Sequence, residues 1–483
     1  MDGEEPPEEF NTEEYDRITD NPFRSPLVAP LSTFSIDVDA ASYANVRRFI
    51  NQNERPYKDA VRIEEMINYF NYDYPDPEGP HPFSITTEYS DCPWNADHKL
   101  IHIGLKGKEM EKQAFPPSNL VFLLDVSGSM SDPNKLPLLK SAFRLLLDQL
   151  GEKDRVAITV YAGAAGLVLP STPASDRPAI LAALEQLEAG GSTAGAEGIE
   201  LAYKVARENF IQGGNNRVIL ATDGDFNVGP SSDASLIRMI EQKRENGIFL
   251  TVLGFGMGNY KDSKMEQLAD KGNGNYAYID NILEAKKVLV SEMGATLFTI
   301  AKDVKIQVEF NPAVVKGYRL IGYENRMLAA EDFRDDKKDA GELGAGHTVT
   351  ALYEIVPQGA KTEIRMADSL KYQSTNVSAG GDKSELLTVR FRYKKPDEET
   401  SQEIVQTVSA TPENATSTST NFRWSAAVAS FGMLLRDSEY KGASTFETVM
   451  EMGKGAKGDD PNGYRAEFIQ LVEKASLLPA REE

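Results

Sequence analysis

In Asp125-Val126-Ser127-Gly128-Ser129, one carboxylate and two hydroxyls stand at alternate positions. They directly follow the apolar run Asn119-Leu120-Val121-Phe122-Leu123-Leu124, which reads as a fully buried strand. Oxygen donors delivered together at a strand end suit hard cations such as magnesium, calcium or manganese. The Ser-Gly-Ser turn lets the chain curl until both hydroxyls face one point. The same residues also suit the capping of a following helix, so the motif alone leaves both readings open. Two further polar clusters occur downstream. Gly190-Gly191-Ser192-Thr193-Ala194-Gly195 precedes a helical pattern and offers the Thr193 hydroxyl, with an N-cap as the plainer reading. Val218-Ile219-Leu220-Ala221-Thr222-Asp223-Gly224-Asp225 is a buried strand ending in a carboxylate and a glycine, where a simple turn is the plainer reading.

Other arrangements are weaker. His98 and His102 are four apart, but Lys99–Leu105 alternates as a strand. Four strand residues span roughly 13 Å, too far for one ion. Phe34-Ser35-Ile36-Asp37-Val38-Asp39 has the strand-end spacing of an aspartyl-phosphate phosphatase, in which one carboxylate attacks and the next moves a proton. A strand–helix junction explains it as well, because residues 40–49 read as a helix. Gly453-Lys454-Gly455-Ala456-Lys457-Gly458 lacks phosphate-loop spacing, and residues 335–342 lack the register of a calcium-binding loop. Ser127 and Ser129 have no nucleophile-elbow context.

The 483-residue length suggests about three domains. With 52 basic and 74 acidic side chains the net charge is −22, which disfavours nucleic acid as a partner. Cys92 is the single cysteine, so neither an intrachain disulfide nor a thiolate zinc cluster can form. No stretch approaches the ~20 apolar residues of a membrane-spanning helix. No signal peptide is legible, and the opening Met1-Asp2-Gly3-Glu4-Glu5-Pro6-Pro7-Glu8-Glu9 reads as an unstructured acidic tail over residues 1–22. Such a tail suits either a tether behind a trimmed export signal or a cytoplasmic start.

The elements that must position these side chains alternate. Strand patterns fall at 120–125, 155–161, 167–170, 217–222, 249–255 and 276–279, with helical periodicity at 136–150, 176–187, 194–210, 232–246, 262–271 and 282–297. That alternation predicts an α/β fold, a doubly wound and mainly parallel sheet, whose ligands bind beyond the carboxyl ends of the strands. The flanks, residues 83–106 and several runs between 304 and 408, alternate as antiparallel strands. They predict one β-sandwich into which the α/β domain is inserted, followed by helices at 422–436 and 464–477. The resulting organisation is an N-terminal region at 23–115, the α/β domain at 116–300, a β-rich domain at 301–410 pairing with the N-terminal region, and a linker with C-terminal helices at 411–483.

Taken together and in this order, Asp125, Ser127, Ser129, Thr193 and Asp223 resemble the metal-ion-dependent adhesion site (MIDAS) of the von Willebrand factor type A (VWA) domain, across roughly residues 116–300. Leu31-Ser32-Thr33-Phe34-Ser35-Ile36-Asp37-Val38-Asp39, Arg319-Leu320-Ile321-Gly322-Tyr323-Glu324-Asn325-Arg326 and Ala345-Gly346-His347-Thr348-Val349-Thr350 resemble the flanks of a bacterial subfamily often called YfbK-like. The resemblance implies that Ser127, Ser129 and Thr193 bind the ion directly, while Asp125 and Asp223 act largely through water. It implies Mg2+, with Ca2+ or Mn2+ as substitutes, and an open coordination position for an Asp or Glu carboxylate of a protein partner. The expected role is adhesion or assembly at the cell envelope without catalysis, with a shift of the helix at 282–297 on binding. A phosphatase using Asp37 and Asp39, or a metal-independent scaffold, are the alternatives.

Overall fold

The computed structural model describes residues 13–191, 195–224, 233–258, 260–338, 340–364, 382–414 and 417–481. The chain divides into two units: Glu111–Phe298 with the described residues up to Asp16, and Arg17–Met110 with Thr299–Glu483.

The first unit is built on a six-stranded sheet in the order Ala165–Pro173, Arg155–Tyr161, Ser118–Asp125, Asn215–Thr222, Ile248–Phe255, Tyr276–Ile279. All neighbours are parallel except Ala165–Pro173, which runs antiparallel to Arg155–Tyr161 at the edge. Every position of Ser118–Asp125 and Asn215–Thr222 is buried, because crossover helices cover both faces of a parallel sheet. From Ser118–Asp125 the chain winds outward to one edge, then returns to Asn215–Thr222 on the other side and winds to the opposite edge. The point of reversal lies between these two strands, where open α/β sheets bind their ligands.

The single helix expected over 282–297 is interrupted. Ile282–Lys286 and Met293–Leu297 are α-helical, and Lys287–Ser291 between them forms a wide π turn. The Glu292 amide donates to the Lys287 carbonyl at 2.9 Å, and the Lys287 ammonium reaches the Glu292 carboxylate at 2.6 Å. This five-residue pairing, backbone and side chain together, favours the wider turn over continued α-helix.

The second unit is a sandwich of two antiparallel sheets with a helical layer. One sheet has the order Met327–Leu328, Leu31–Ser35, Thr299–Phe310, Glu385–Lys394, Gln402–Ser409, with Gly341–Gly344 also on Thr299–Phe310. The other runs Val315–Ile321, Thr348–Pro357, Lys99–Gly107, Phe83–Asp91. Phe34, Ile306, Val308 and Val389 of the first sheet share a core with Ile103, Leu105, Val349 and Tyr353 of the second. Each sheet takes strands from before residue 111 and after residue 298, so the α/β unit is an insertion in the sandwich sequence.

Thr420–Leu435 is buried at every position from Trp424 to Met433, all round rather than on the one face expected. Its Trp424 meets Phe70 and Phe468 at ring separations of 5.1 Å each. A further helix, Phe446–Gly455, opens with a capping box in which Thr445 and Thr448 satisfy each other's amides. Of the tail expected to be unstructured through residue 22, the described residues 13–22 are held by the fold. Asn21 donates to the Leu320 and Gly322 carbonyls, and Asp20 pairs with Arg436 at 3.1 Å. Among the described residues, no helix is long and apolar enough to cross a membrane.

Candidate metal centre

Asp125 is the last residue of its strand and is fully buried. Its Oδ1 accepts from the Ser127 amide at 2.9 Å, and its Oδ2 accepts from the Tyr161 hydroxyl at 3.0 Å and the Thr222 hydroxyl at 3.1 Å. Tyr161 and Thr222 end the two flanking strands, so the sheet register itself aims them at this carboxylate. Burial pushes the Asp125 carboxyl up to about 6, with the nearby Asp223 charge adding to the effect and the Ser127 hydrogen bonds opposing it.

After Asp125 the chain turns into the short 3-10 helix Gly128–Ser131, anchored by buried Met130. This turn brings the Ser127 and Ser129 hydroxyl oxygens within 3.1 Å of each other. Ser127 is buried and Ser129 exposed, so the pair spans the boundary between protein and solvent. The Gly190-Gly191 loop is zipped to the same turn: the Gly190 amide donates to Val126 O at 2.8 Å, and the Gly128 amide to Gly191 O at 3.1 Å. Thr193, two positions beyond Gly191, lies outside the described residues, as does Asp225.

Asp223 follows the Asn215–Thr222 strand and is fully buried. Its neighbour Gly224 has φ +96°, and a Cβ there would lie 2.5 Å from the Lys261 amide nitrogen, so only glycine fits. Asp223 Oδ2 accepts from the Lys135 ammonium at 3.0 Å. Lys135 immediately precedes the Leu136–Leu147 helix and is itself buried. Gly256 has φ +75°, and a Cβ on it would lie 2.3 Å from Lys135 Cε, so the lysine stem crosses directly over this glycine. Neither Lys135 nor Tyr161 stands out in sequence. A lone lysine carries no motif, and Tyr161 could have been found only by noting that it ends the strand beside Asp125.

The structure thus brings Asp125, Ser127, Ser129 and Asp223 to the point where the sheet reverses direction. Two carboxylates and two hydroxyls are a hard-oxygen donor set suited to a divalent cation, and the buried ammonium on Asp223 shows that the place accommodates positive charge.

The other candidates are engaged elsewhere. His98 Nδ1 meets Glu354 at 2.5 Å and its Nε2 meets Thr362 at 2.6 Å, whereas His102 Nε2 meets the Tyr74 hydroxyl at 2.8 Å. Burial pushes His102 down to about 3. Asp37 and Asp39 are buried, and Arg326 meets each of them at 3.2 Å. Asp37 also accepts from the Asp39 amide at 2.9 Å.

Comparison with known proteins agrees with this architecture. Residues 119–289 match the von Willebrand factor type A domain profile, residues 295–478 the profile for the C-terminal region of the uncharacterized protein YfbK, and residues 9–102 a profile described as von Willebrand factor. The uncharacterized protein YfbK of Escherichia coli (strain K12) is 46% identical over 472 residues, covering 96% of this chain and 81% of that protein. The chain belongs to the YfbK family. Within it, the α/β unit is a VWA domain, a class that commonly mediates metal-dependent protein interaction. An uncharacterized protein of Synechocystis, sll0103, is 30% identical over 190 residues, 39% of this chain and 43% of its own length. Among solved structures, a von Willebrand factor type A protein from Catenulispora acidiphila is similar over 86% of this chain and 99% of its own, at 16% identity and a TM-score of 0.43.

Proposed function

We propose that this YfbK-family protein is a divalent-cation-dependent protein-binding module whose ion captures a carboxylate of its partner. The observation that carries the reading is the convergence of buried Asp125 and Asp223 with the Ser127 and Ser129 hydroxyls at the reversal point of the sheet. Asp125, Ser127, Ser129, Thr193 and Asp223 would hold the ion, with Mg2+ the best match to a small, oxygen-only set. When bound, the cation supplies an electrophilic centre that attracts an Asp or Glu side chain.

The protein's own residues do the rest. Tyr161, Thr222 and the Ser127 amide fix Asp125 by neutral hydrogen bonds, which orient the carboxylate without neutralising it. Lys135 offsets part of the Asp223 charge and limits how strongly the site holds a cation. Met257, 41% exposed and next to Gly256, gives the rim an apolar contact for a partner side chain. The reading is of binding rather than catalysis, at the cell envelope as the family resemblance implies; cell fractionation tests the compartment.

The direct test is affinity capture with Mg2+ against a chelator, using wild type and Asp125→Ala, with Mg2+ binding measured by calorimetry. Wild type should bind Mg2+ and retain partners only in its presence, and the variant should do neither. Equal Mg2+ binding by both proteins overturns the reading.

A further inference from the structure

The sandwich unit holds a second cluster of chemistry-bearing side chains, on the sheet Val315–Ile321, Thr348–Pro357, Lys99–Gly107, Phe83–Asp91. Arg319 and Glu354 stand opposite each other on neighbouring strands, and Leu100 stands opposite Glu354 on its other side. His98 lies two residues before Leu100, and strand residues two apart share a face, so the register brings His98 to the carboxylate. Glu354 Oε2 accepts from Arg319 at 2.8 Å, and its Oε1 meets His98 Nδ1 at 2.5 Å. On the far side of the ring, His98 Nε2 meets Thr362 Oγ1 at 2.6 Å. His98, Glu354 and Arg319 are buried, and Thr362 is half-buried.

The hydrogen bonds assign the imidazole tautomer. Asn95 Oδ1 accepts from the Asp97 amide at 3.1 Å, which leaves its Nδ2 to face His98, 3.4 Å from Nε2. An amide nitrogen only donates, so Nε2 accepts and the ring proton sits on Nδ1, donated to Glu354. The Thr362 hydroxyl therefore donates to Nε2. Burial alone would raise the Glu354 carboxyl, but His98 and Arg319 hold it below the ordinary carboxylate range, so it stays ionised. A hydroxyl on a basic ring nitrogen, with the other nitrogen oriented by a buried carboxylate, is a nucleophile with its general base.

Thr362 is held from both sides. Lys316 Nζ donates to the Ala360 carbonyl at 2.9 Å, and Ile364 packs on Gly317, where a Cβ would lie 2.5 Å from Ile364 Cδ1. The Asn95 amide beside the hydroxyl is a donor for negative charge developing on a carbonyl oxygen attacked there. Phe23 meets the His98 ring edge-on at 5.4 Å, and Tyr440 meets Phe23 at 5.6 Å. Both are partly exposed, an apolar border suited to an acyl chain.

We propose that Thr362, His98 and Glu354 form an acyl-transfer site that hydrolyses carboxylic esters with an apolar acyl group. Thr362 Oγ bonds to the acyl carbon as its proton passes to His98 Nε2. The bond from that carbon to the alcohol oxygen breaks, and the departing oxygen takes the proton from Nε2. Water then bonds to the acyl carbon and gives a proton to Nε2; the bond to Oγ breaks, and Thr362 regains the proton. These residues all lie in the sandwich unit, and the cation centre takes no part.

The test incubates the full chain with p-nitrophenyl butyrate in the presence of chelator, beside Thr362→Ala, Thr362→Ser and His98→Gln, with melting temperatures to show that each variant folds. Wild type should release nitrophenolate about 100-fold faster than Thr362→Ala and His98→Gln, the contribution of a positioned base and nucleophile. Thr362→Ser should keep the activity, and acid-quenched wild type should carry the butyryl group on Thr362. Equal rates in wild type and Thr362→Ala overturn the proposal, as does butyryl found only on lysines. Loss of the rate in Thr362→Ser also overturns it, because a merely structural threonine would explain that result. The Thr362 variants decide the matter even where His98→Gln does not fold.

Discussion

Two pairs of aspartates follow strand ends in this protein, and their surroundings separate them. Asp37 and Asp39 come just after Leu31–Ser35, whereas Asp125 ends Ser118–Asp125 and Asp223 directly follows the adjacent strand Asn215–Thr222. Both pairs are buried, and each has a basic side chain at hydrogen-bond distance. In the first pair, one guanidinium bridges both carboxylates, a planar fork that satisfies them together. In the second, the ammonium meets Asp223, while Asp125 is held by an amide and two hydroxyls. The comparison teaches that residue type and strand-end placement do not make a cation site. What matters is whether the partners orient a carboxylate or neutralise it.

The largest way to break this contrast is Arg326→Met. It leaves two buried carboxylates without their shared cation and should destabilise the protein by about 3–5 kcal/mol, as when one partner of a buried ion pair is removed. Mg2+ affinity should be unchanged; chemical denaturation with calorimetry checks both, and a loss of Mg2+ binding without loss of stability would contradict the distinction. Lys135→Met attacks the other pair. Removing the ammonium beside Asp223 should tighten Mg2+ binding about tenfold, a moderate charge–charge effect near a protein surface. The melting temperature of that variant should also respond more strongly to added Mg2+ than that of wild type.

Acidity sharpens the contrast further. With Asp125 raised to about 6, protons compete with the cation, so Mg2+ affinity should fall about tenfold between pH 7 and pH 5. Stability moves in the opposite direction in the sandwich unit. Glu64 is pushed up to about 8, chiefly by burial, with the Glu324 and Asp37 charges adding. A raised acid stabilises the fold in its neutral form, so its contribution is full below ~4.3 and is lost as pH rises through about 8. The melting temperature should therefore decline from pH 5 to pH 9, and Glu64→Gln should flatten the decline. The smallest effect is that of Tyr161→Phe, which removes one neutral donor to Asp125. It should cost about 1 kcal/mol in stability and weaken Mg2+ binding severalfold, read by the same calorimetry.

Much of the architecture was legible because periodicity is a local property. Arg155–Tyr161, Tyr276–Ile279, Asp262–Lys271 and Tyr464–Leu477 fall at the residues where the patterns place them. The strand-end placement of Asp125, Ser127, Ser129 and Asp223 was legible too, since each ends a strand or sits in the adjoining turn. What escaped depends on contacts distant in sequence. Lys135 reaches Asp223 across 88 residues, and Arg326 reaches Asp37 across 289. The π turn depends on the Lys287–Glu292 pairing rather than on any apolar pattern. Residues 13–22 have the composition of an unstructured tail, yet partners from three separate segments hold them. Phe446–Gly455 is short, with Gly453 in its last turn, and its start is marked by a threonine pair that a scan for hydrophobic periodicity passes over.

The insertion of the VWA domain has a consequence for how the chain is made. Thr33 pairs with Gln307, 274 residues later. At a synthesis rate of about 5–20 residues per second, Leu31–Ser35 waits roughly 15–55 s after leaving the ribosome before its neighbour exists. Every strand of the inserted sheet emerges within that interval and can pair with its own kind first. Phe83–Asp91 and Lys99–Gly107 can pair with each other, but Leu31–Ser35 meanwhile has no strand neighbour and is open to wrong partners. Maturation of this protein is therefore ordered from the inside of the sequence outward: Thr299–Phe310 gives Leu31–Ser35 its neighbour, and the first sheet is complete only when Gln402–Ser409 has followed.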